Sequence, residues 1–423
     1  MVDEGKEGAG SWSDLPPELL GMVFCRLLSY ADRVRFRSVC RPWRLAAREQ
    51  QPNPPPPLPW FALDDRTTYL SVPDGEVHRV PVPVPGDLPA GTVCRGCFDG
   101  WLLYDRGFEN LTFHDWYVDN DEQDDDKLEC FLMNPISKAR IGLPYHWFLD
   151  LDDPVYHGQY TMYFHESVMR KIVVCSPDLV VALGDYARLH YFYYRQGIIH
   201  PTTTNWSLAT VHDMPLDIVM YRGHLYSVSY RGKLSVHEFS NSGGDGSSSV
   251  AVVIDELPPE EISLPQGYRW SWWNPFYLVV SCCTGKLLMV RWRWCLPLYD
   301  PVRRWCADDL KKDVKLDVFE ADMEKRCWSK VKDLGGDQAL FLGTTCSKSL
   351  ASPDHANFIF FMVSNIIRSC TDAIIDGVGD CIYCVYDMKN GTFRFHNQEG
   401  LSRSTNNREA QCWIRADWFF PCE

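Results

Sequence analysis

Five times along the chain a polar residue and a glycine open a short run of strand-forming residues. The runs are Asp99-Gly100-Trp101-Leu102-Leu103-Tyr104, Arg222-Gly223-His224-Leu225-Tyr226-Ser227-Val228, Arg231-Gly232-Lys233-Leu234-Ser235-Val236, Thr284-Gly285-Lys286-Leu287-Leu288-Met289-Val290 and Asn390-Gly391-Thr392-Phe393-Arg394-Phe395. Glycine tolerates the left-handed backbone of a tight hairpin, so each run reads as a turn feeding an antiparallel strand. Such units, tens of residues apart, fold as repeated antiparallel sheets, and radial repetition of sheets makes a propeller. The expected fold is mainly β.

A second recurring signal is a strand closed by proline. Val80, Val82 and Val84 alternate with Pro81, Pro83 and Pro85, and Leu143-Pro144 and Leu257-Pro258 end similar stretches. Proline cannot donate to a ladder and belongs on an edge strand, in a propeller the outermost strand of a blade. Dividing the chain by both signals gives about six units of roughly 60 residues each. The spans are 60–92, 93–144, 145–213, 214–265, 266–343 and 344–400, so six blades are favoured and seven is the alternative. The segment from Trp413 to Phe420 is expected to return beside the first unit and close the ring, removing an exposed sheet edge.

The front of the chain has a different period. Pro16 and Pro17 suit a first helical turn, and Asp14 and Glu18 put negative charge at the positive end of a helix dipole. Leu15, Leu19, Leu20, Val23, Phe24, Leu27 and Leu28 then recur at three- and four-residue spacing. Ser29 and Asp32 fit a capping box opening a second helix with Val34, Phe36 and Val39, and Pro42 opens a third with Trp43, Leu45, Ala46 and Ala47. Three helices in fewer than about 40 residues bury little surface by themselves, which points to a partner for them. Between Pro52 and Pro59, six of eight residues are proline, which favours a stiff extended spacer. The expected organisation is a disordered tail at 1–10, a helical module at 11–50, a linker at 51–59 and a propeller at 60–423.

Composition narrows the function. The 423 residues carry a formal charge of -14, which argues against general nucleic-acid or anionic-membrane binding, since both need a basic surface. No apolar stretch is long enough to span a bilayer, and Met1 to Gly10 lacks the basic and apolar regions of a signal peptide. Seventeen scattered cysteines then read as reduced thiols in a cytoplasmic or nuclear protein.

Few motifs suggest chemistry. Cys94 with Cys97, and Cys381 with Cys384, have zinc-knuckle spacing, but the second pair lies in an apparent strand whose residues three apart face opposite ways. Asp119 to Asp126 holds six carboxylates but lacks the glycine and closing glutamate of an EF-hand, so it reads as a solvated insertion, and Ser240 to Ser249 reads as a flexible loop. In Arg291-Trp292-Arg293-Trp294, alternation places the tryptophans on one face for packing and the arginines on the other. Trp270 and Trp273, in Tyr268-Arg269-Trp270-Ser271-Trp272-Trp273, are the candidate anchors for a partner on the propeller rim. No phosphate loop, nucleophile elbow or His-Glu-x-x-His occurs, and no catalytic residue, metal or cofactor is expected.

The order Leu15-Pro16, Glu18-Leu19, Phe24, Leu27-Leu28, Asp32, Arg35-Phe36, Val39-Cys40, Trp43-Arg44 resembles the F-box, departing at Leu28-Ser29 where that family often has Leu-Pro. The remainder resembles the KIB-type propellers of plant F-box proteins. That resemblance rests on Gly100-Trp101-Leu102-Leu103, Asn134-Pro135 before Ile141-Gly142-Leu143-Pro144, and Phe319-Glu320 with Trp328 and Val331. It continues through Leu334-Gly335, Ala339-Leu340-Phe341-Leu342-Gly343 and Trp418-Phe419-Phe420-Pro421. The resemblance implies a substrate-recognition subunit of a Skp-cullin-F-box ubiquitin ligase, itself non-catalytic, that bridges a Skp-type adaptor to an unknown protein target. The implied adaptor-binding residues are Leu15, Pro16, Leu19, Phe24, Leu27, Leu28, Val39 and Trp43. The alternatives are a propeller enzyme or small-molecule binder with a helical cap, and an F-box-like protein acting by sequestration outside a ligase.

Overall fold

The computed structural model describes residues 12–49, 57–62, 68–71, 77–79, 92–106, 129–134, 137–144, 146–149, 160–163, 169–176, 179–187, 194–201, 205–208, 215–239, 248–258, 268–270, 276–297, 305–306, 314–343, 345–362, 375–376, 381–397 and 418–420. The expected tail, the acidic stretch Asp119 to Asp126, the Val80 to Pro85 alternation and Trp273 lie outside them.

Three helices come first: α1 (Pro17–Arg26), α2 (Tyr30–Val39) and α3 (Arg41–Glu49), preceded by a 3-10 turn at Trp12–Asp14. Pro16 and Ser29 occupy the N-cap positions of α1 and α2. The capping box itself does not form. The Ser29 hydroxyl makes no cap bond, and Asp32 instead pairs with Arg35 one turn on at 2.8 Å.

Strands follow, forming six sheets of four to six strands among the described residues. The second runs in chain order, Thr92–Phe98, Trp101–Arg106, Glu129–Met133 and Arg140–Leu143; the fourth does too, Pro215–Tyr221, His224–Ser229, Leu234–Phe239 and Ser248–Ile254. One edge strand from each sheet contributes to an inner ring. Thr92–Phe98 lies against Met169–Ser176, that strand against Pro215–Tyr221, and that one against Phe276–Val280, which in turn meets Ser347–Ala351. Trp418–Phe419 completes the circuit beside Thr92–Phe98. This radial order of sheets is a mainly-β propeller.

The hairpin reading is visible in the backbone. Asp99 and Gly100 have φ of 49° and 79°, and Arg222 and Gly223 have 50° and 82°. Two consecutive left-handed residues make the turn whose twist matches paired strands. Leu143-Pro144 ends the last strand of the second sheet, and Leu257-Pro258 follows the last strand of the fourth, both at sheet edges.

The closing strand pairs as expected: Trp60 is opposite Phe419, and Phe61 opposite Trp418, antiparallel. Trp418 is fully enclosed among Ala339, Phe341, Leu350 and Phe420, and its indole N–H donates to the Leu342 carbonyl at 2.9 Å. One unit boundary is corrected. Gln338–Leu342 was expected in the fifth unit, but it pairs with Ser347–Ala351 and with Phe358–Met362 in the sixth sheet. All five of its residues are buried, so this apolar run belongs inside a sheet covered on both faces.

Polar groups bracket neighbouring sheets. Lys171 donates to Asp217 at 2.7 Å, and the other Asp217 oxygen accepts the Leu278 N–H at 2.7 Å, linking the third, fourth and fifth sheets. Between the fifth and sixth, the Gln338 carbonyl oxygen accepts from Ser281 at 2.9 Å and Ser349 at 2.6 Å. Apolar clusters fill the same gaps.

The proline-rich segment was expected to be a stiff extended linker, and residues 51–56 lie outside the described residues. At its end Leu58 is fully buried against Phe341 and Trp418, and its N–H donates to the Leu28 carbonyl at 2.8 Å. Tyr30 packs edge-on to Trp60, 5.6 Å between ring centres, and Ala31 joins it against the second sheet. Pro59-Trp60 leads straight into the first strand, so burying Leu58 places the helical front directly on the sheets.

Candidate functional site

The helical front is built on Phe24. Its ring lies 5.4 Å from Phe36, which is 4.5 Å from Trp43, and Leu20, Ala46 and Ala47 complete the interior. Arg33 is buried beside it, with its guanidinium 5.6 Å from the Phe24 ring centre and its Nε donating to the Leu27 carbonyl at 2.9 Å. A buried charge of this kind needs a hydrogen-bonded seat, and the C-terminal end of α1 supplies one. The Trp43 indole N–H donates to the Trp12 carbonyl at 3.1 Å, tying the third helix to the entry turn.

With Leu20 and Phe24 committed inward, residues three and four positions from Leu19 face out. Leu19, Met22 and Val23 stay 46%, 53% and 45% exposed. Val34 and Val39 on α2, and Leu45 on α3, are also exposed large apolar residues. The front therefore has two apolar sides. One, at Leu28, Tyr30 and Ala31, is seated on the propeller; the other meets solvent.

The expected adaptor-binding set divides accordingly. Leu19, Val39 and Pro16 are exposed. Leu15, Leu27 and Trp43 are half-buried flanks of the helical core. Phe24 is corrected: it is fully buried in that core and supports the surface rather than forming it. Leu28 is corrected too, since it packs toward Leu58 and the sixth sheet. Met22, Val34 and Leu45 were not among the residues expected to bind the adaptor. Met22 had a readable signal, three residues after Leu19 and off the Leu20-Phe24 stripe.

On the propeller, Trp270 lies in the strand Tyr268–Trp270, opposite Cys295 of Leu287–Pro297. Trp292 is buried as expected, edge-on to Phe361 at 4.4 Å. Arg291 and Arg293, on the other face, converge with Lys330 on Asp317. Burial opposes the charge on Asp317, but hydrogen bonds from Lys330 and the arginines outweigh it and hold the carboxyl below its ordinary value. Cys97 and Cys384 are buried in strands, and no cluster of three or more metal-ligating side chains occurs among the described residues.

Three packed helices with an uncovered apolar side, mounted on a propeller, define the F-box plus propeller class of protein. Comparison with known proteins agrees. A family described as KIB1-4 beta-propeller matches residues 69–393, and one described as F-box-like matches residues 12–51. The chain belongs to the KIB1-4 beta-propeller family and carries an F-box-like segment ahead of the propeller. It is similar to the F-box protein At2g17036 of Arabidopsis thaliana, 21% identical over 382 residues that cover 83% of each chain. The probable F-box protein At4g22165 of the same plant is 26% identical over 383 residues, 85% of this chain and 86% of its own. The putative F-box protein At5g66830, also from Arabidopsis thaliana, reaches 31% identity over 136 residues, 31% of this chain and 32% of its own.

Proposed function

We propose that this chain is the substrate-recognition subunit of a Skp-cullin-F-box ubiquitin ligase, acting in the cytoplasm, the nucleus or both. The observation that carries the reading is the exposed Leu19, Met22 and Val23 stripe on α1, on a helical front held firmly from behind. An apolar stripe of this kind gains most by burial against a partner, at about 25 cal/mol for each Å² covered. A Skp-type adaptor is the partner an F-box-like segment implies. The propeller then selects the target protein, and transfer of ubiquitin belongs to other subunits. This chain contributes position, raising the effective concentration of a target lysine near the charged ubiquitin.

Capture of a Skp-type adaptor by the full chain tests the reading. The double variant Leu19→Glu, Val23→Glu is expected to lose capture at least tenfold while its melting temperature stays within a few degrees of wild type. Phe24→Ala is expected to lose capture together with helical-front stability. Equal capture by wild type and the Leu19, Val23 variant refutes the assigned surface. Adaptor capture with no ubiquitin transfer to any co-purifying protein favours sequestration instead.

A further inference from the structure

Residues of five sheets line a cavity of about 500 Å³. Its wall includes Phe98 and Trp101 from the second sheet, Lys171 and Val174 from the third, Met220 from the fourth and Lys348 from the sixth. We propose that this cavity is a binding site for a small organic acid, with the carboxylate on Lys171 and an apolar or aromatic body against the wall. The proposal stands apart from the receptor reading.

Lys171 carries the argument. Its side chain is 6% exposed, yet its ammonium makes one hydrogen bond, to Asp217, among the described residues. An ammonium has three donors, so two remain for something that occupies the cavity. Asp217 does not balance this demand. Its carboxylate is shared among Lys171, the Ile218 N–H at 2.8 Å and the Leu278 N–H at 2.7 Å. The pair is neutral overall, so what Lys171 offers the cavity is its two remaining N–H donors, and buried donors of this kind recognise a carboxylate.

The rest of the wall sets the size and kind of ligand. Val174 and Met220 are aliphatic, and Phe98 and Trp101 are flat. The volume lies in the range of small-molecule sites, roughly 300 to 1,000 Å³. Lys348 and Asp99, both part of the wall, form an ion pair and are 31% and 50% exposed at the solvent edge.

Isothermal titration of the full chain with 3-phenylpropionate and with octanoate, each against its neutral amide, tests the site. Saturable binding of at least one acid is expected, with its amide at least tenfold weaker. The double variant Lys171→Met, Asp217→Asn removes both charges together, leaves no lone buried ion, and is expected to bind acid and amide equally. Lys171→Arg is expected to keep the preference for acid. Val174→Trp fills the cavity and is expected to abolish binding of both compounds, with adaptor capture intact. Should the double variant fail to fold, the acid-to-amide ratio of wild type and the Val174→Trp result decide the matter. No saturable binding of either acid, equal binding of acid and amide by wild type, or binding untouched by Val174→Trp overturns the proposal. Adaptor capture by wild type is read separately, so its failure counts against the receptor reading alone.

Discussion

Single residues set the tolerance of this fold, and Gly232 shows how. Its φ is +80°, and a Cβ built there would stand 2.7 Å from Leu257 Cγ, under a turn that also accepts the Trp328 indole N–H through its carbonyl. Gly232→Ala therefore combines backbone strain with overpacking, and a loss of about 1–3 kcal/mol in urea unfolding is expected. A second residue governs acid stability. His237 is buried with its Nε2 2.7 Å from the Ser227 hydroxyl, and burial pushes its pKa down to about 4. The unfolded chain takes up this proton near pH 6.5, while the folded chain resists until about pH 4. Stability is thus complete above 6.5 and falls as the pH drops through that window, by at most about 3 kcal/mol. His237→Gln is expected to flatten the fall in melting temperature between pH 6.5 and 4. Asp317, whose pKa is lowered, adds a further loss below its ordinary 3.8, because its ion pairs disappear when it is protonated. Neither residue announced itself in the sequence: Gly232 looked like any hairpin glycine, and His237 like one histidine among twelve.

Elements were legible where a local pattern and the tertiary contacts agree. Hairpins at Asp99-Gly100 and Arg222-Gly223 were readable because left-handed backbone is a local demand that glycine meets. The helices were readable because Pro17 and Pro42 sit in first turns and the apolar spacing is regular. Gln338–Leu342 was misplaced because a run buried on both faces carries no alternation to show which neighbour it joins. Phe24 and Leu19 looked equivalent in sequence, both on an apolar stripe, and only packing shows that one holds the helices together while the other faces solvent. The closing strand was expected because a ring of sheets leaves an edge that a returning segment removes, and Trp60 does pair with Phe419. Trp418 fills the seam beside Phe341 and donates to Leu342, so Trp418→Ala is expected to cost about 3–5 kcal/mol and lower the cooperativity of unfolding. Calorimetry that shows an unchanged, single transition would remove the seam from the account of stability.

At the scale of the molecule, the helical front and the propeller are one packed body at their junction. The Leu58–Leu28 hydrogen bond, the Tyr30–Trp60 ring contact and the burial of Leu58 all lie on that seam. Removing residues 1–49 uncovers Trp60 and the surface that Tyr30 and Ala31 cover, so the shortened chain is expected to melt several degrees below the full one. A melting temperature equal to that of the full chain would show two independent modules. The pairing of Trp60 with Phe419 reaches further, into how the protein is made. The strand Trp60–Ala62 leaves the ribosome early, and its partner follows only after the intervening sheets have been translated, on the order of tens of seconds later at about 5–20 residues per second. For that interval the nascent ring is open, with a bare ladder edge at one side that any other extended chain can join. Cells that produce this protein have to shelter that edge until Trp418 and Phe419 have been made, which makes its yield sensitive to chaperone supply and to anything that slows synthesis between the two strands.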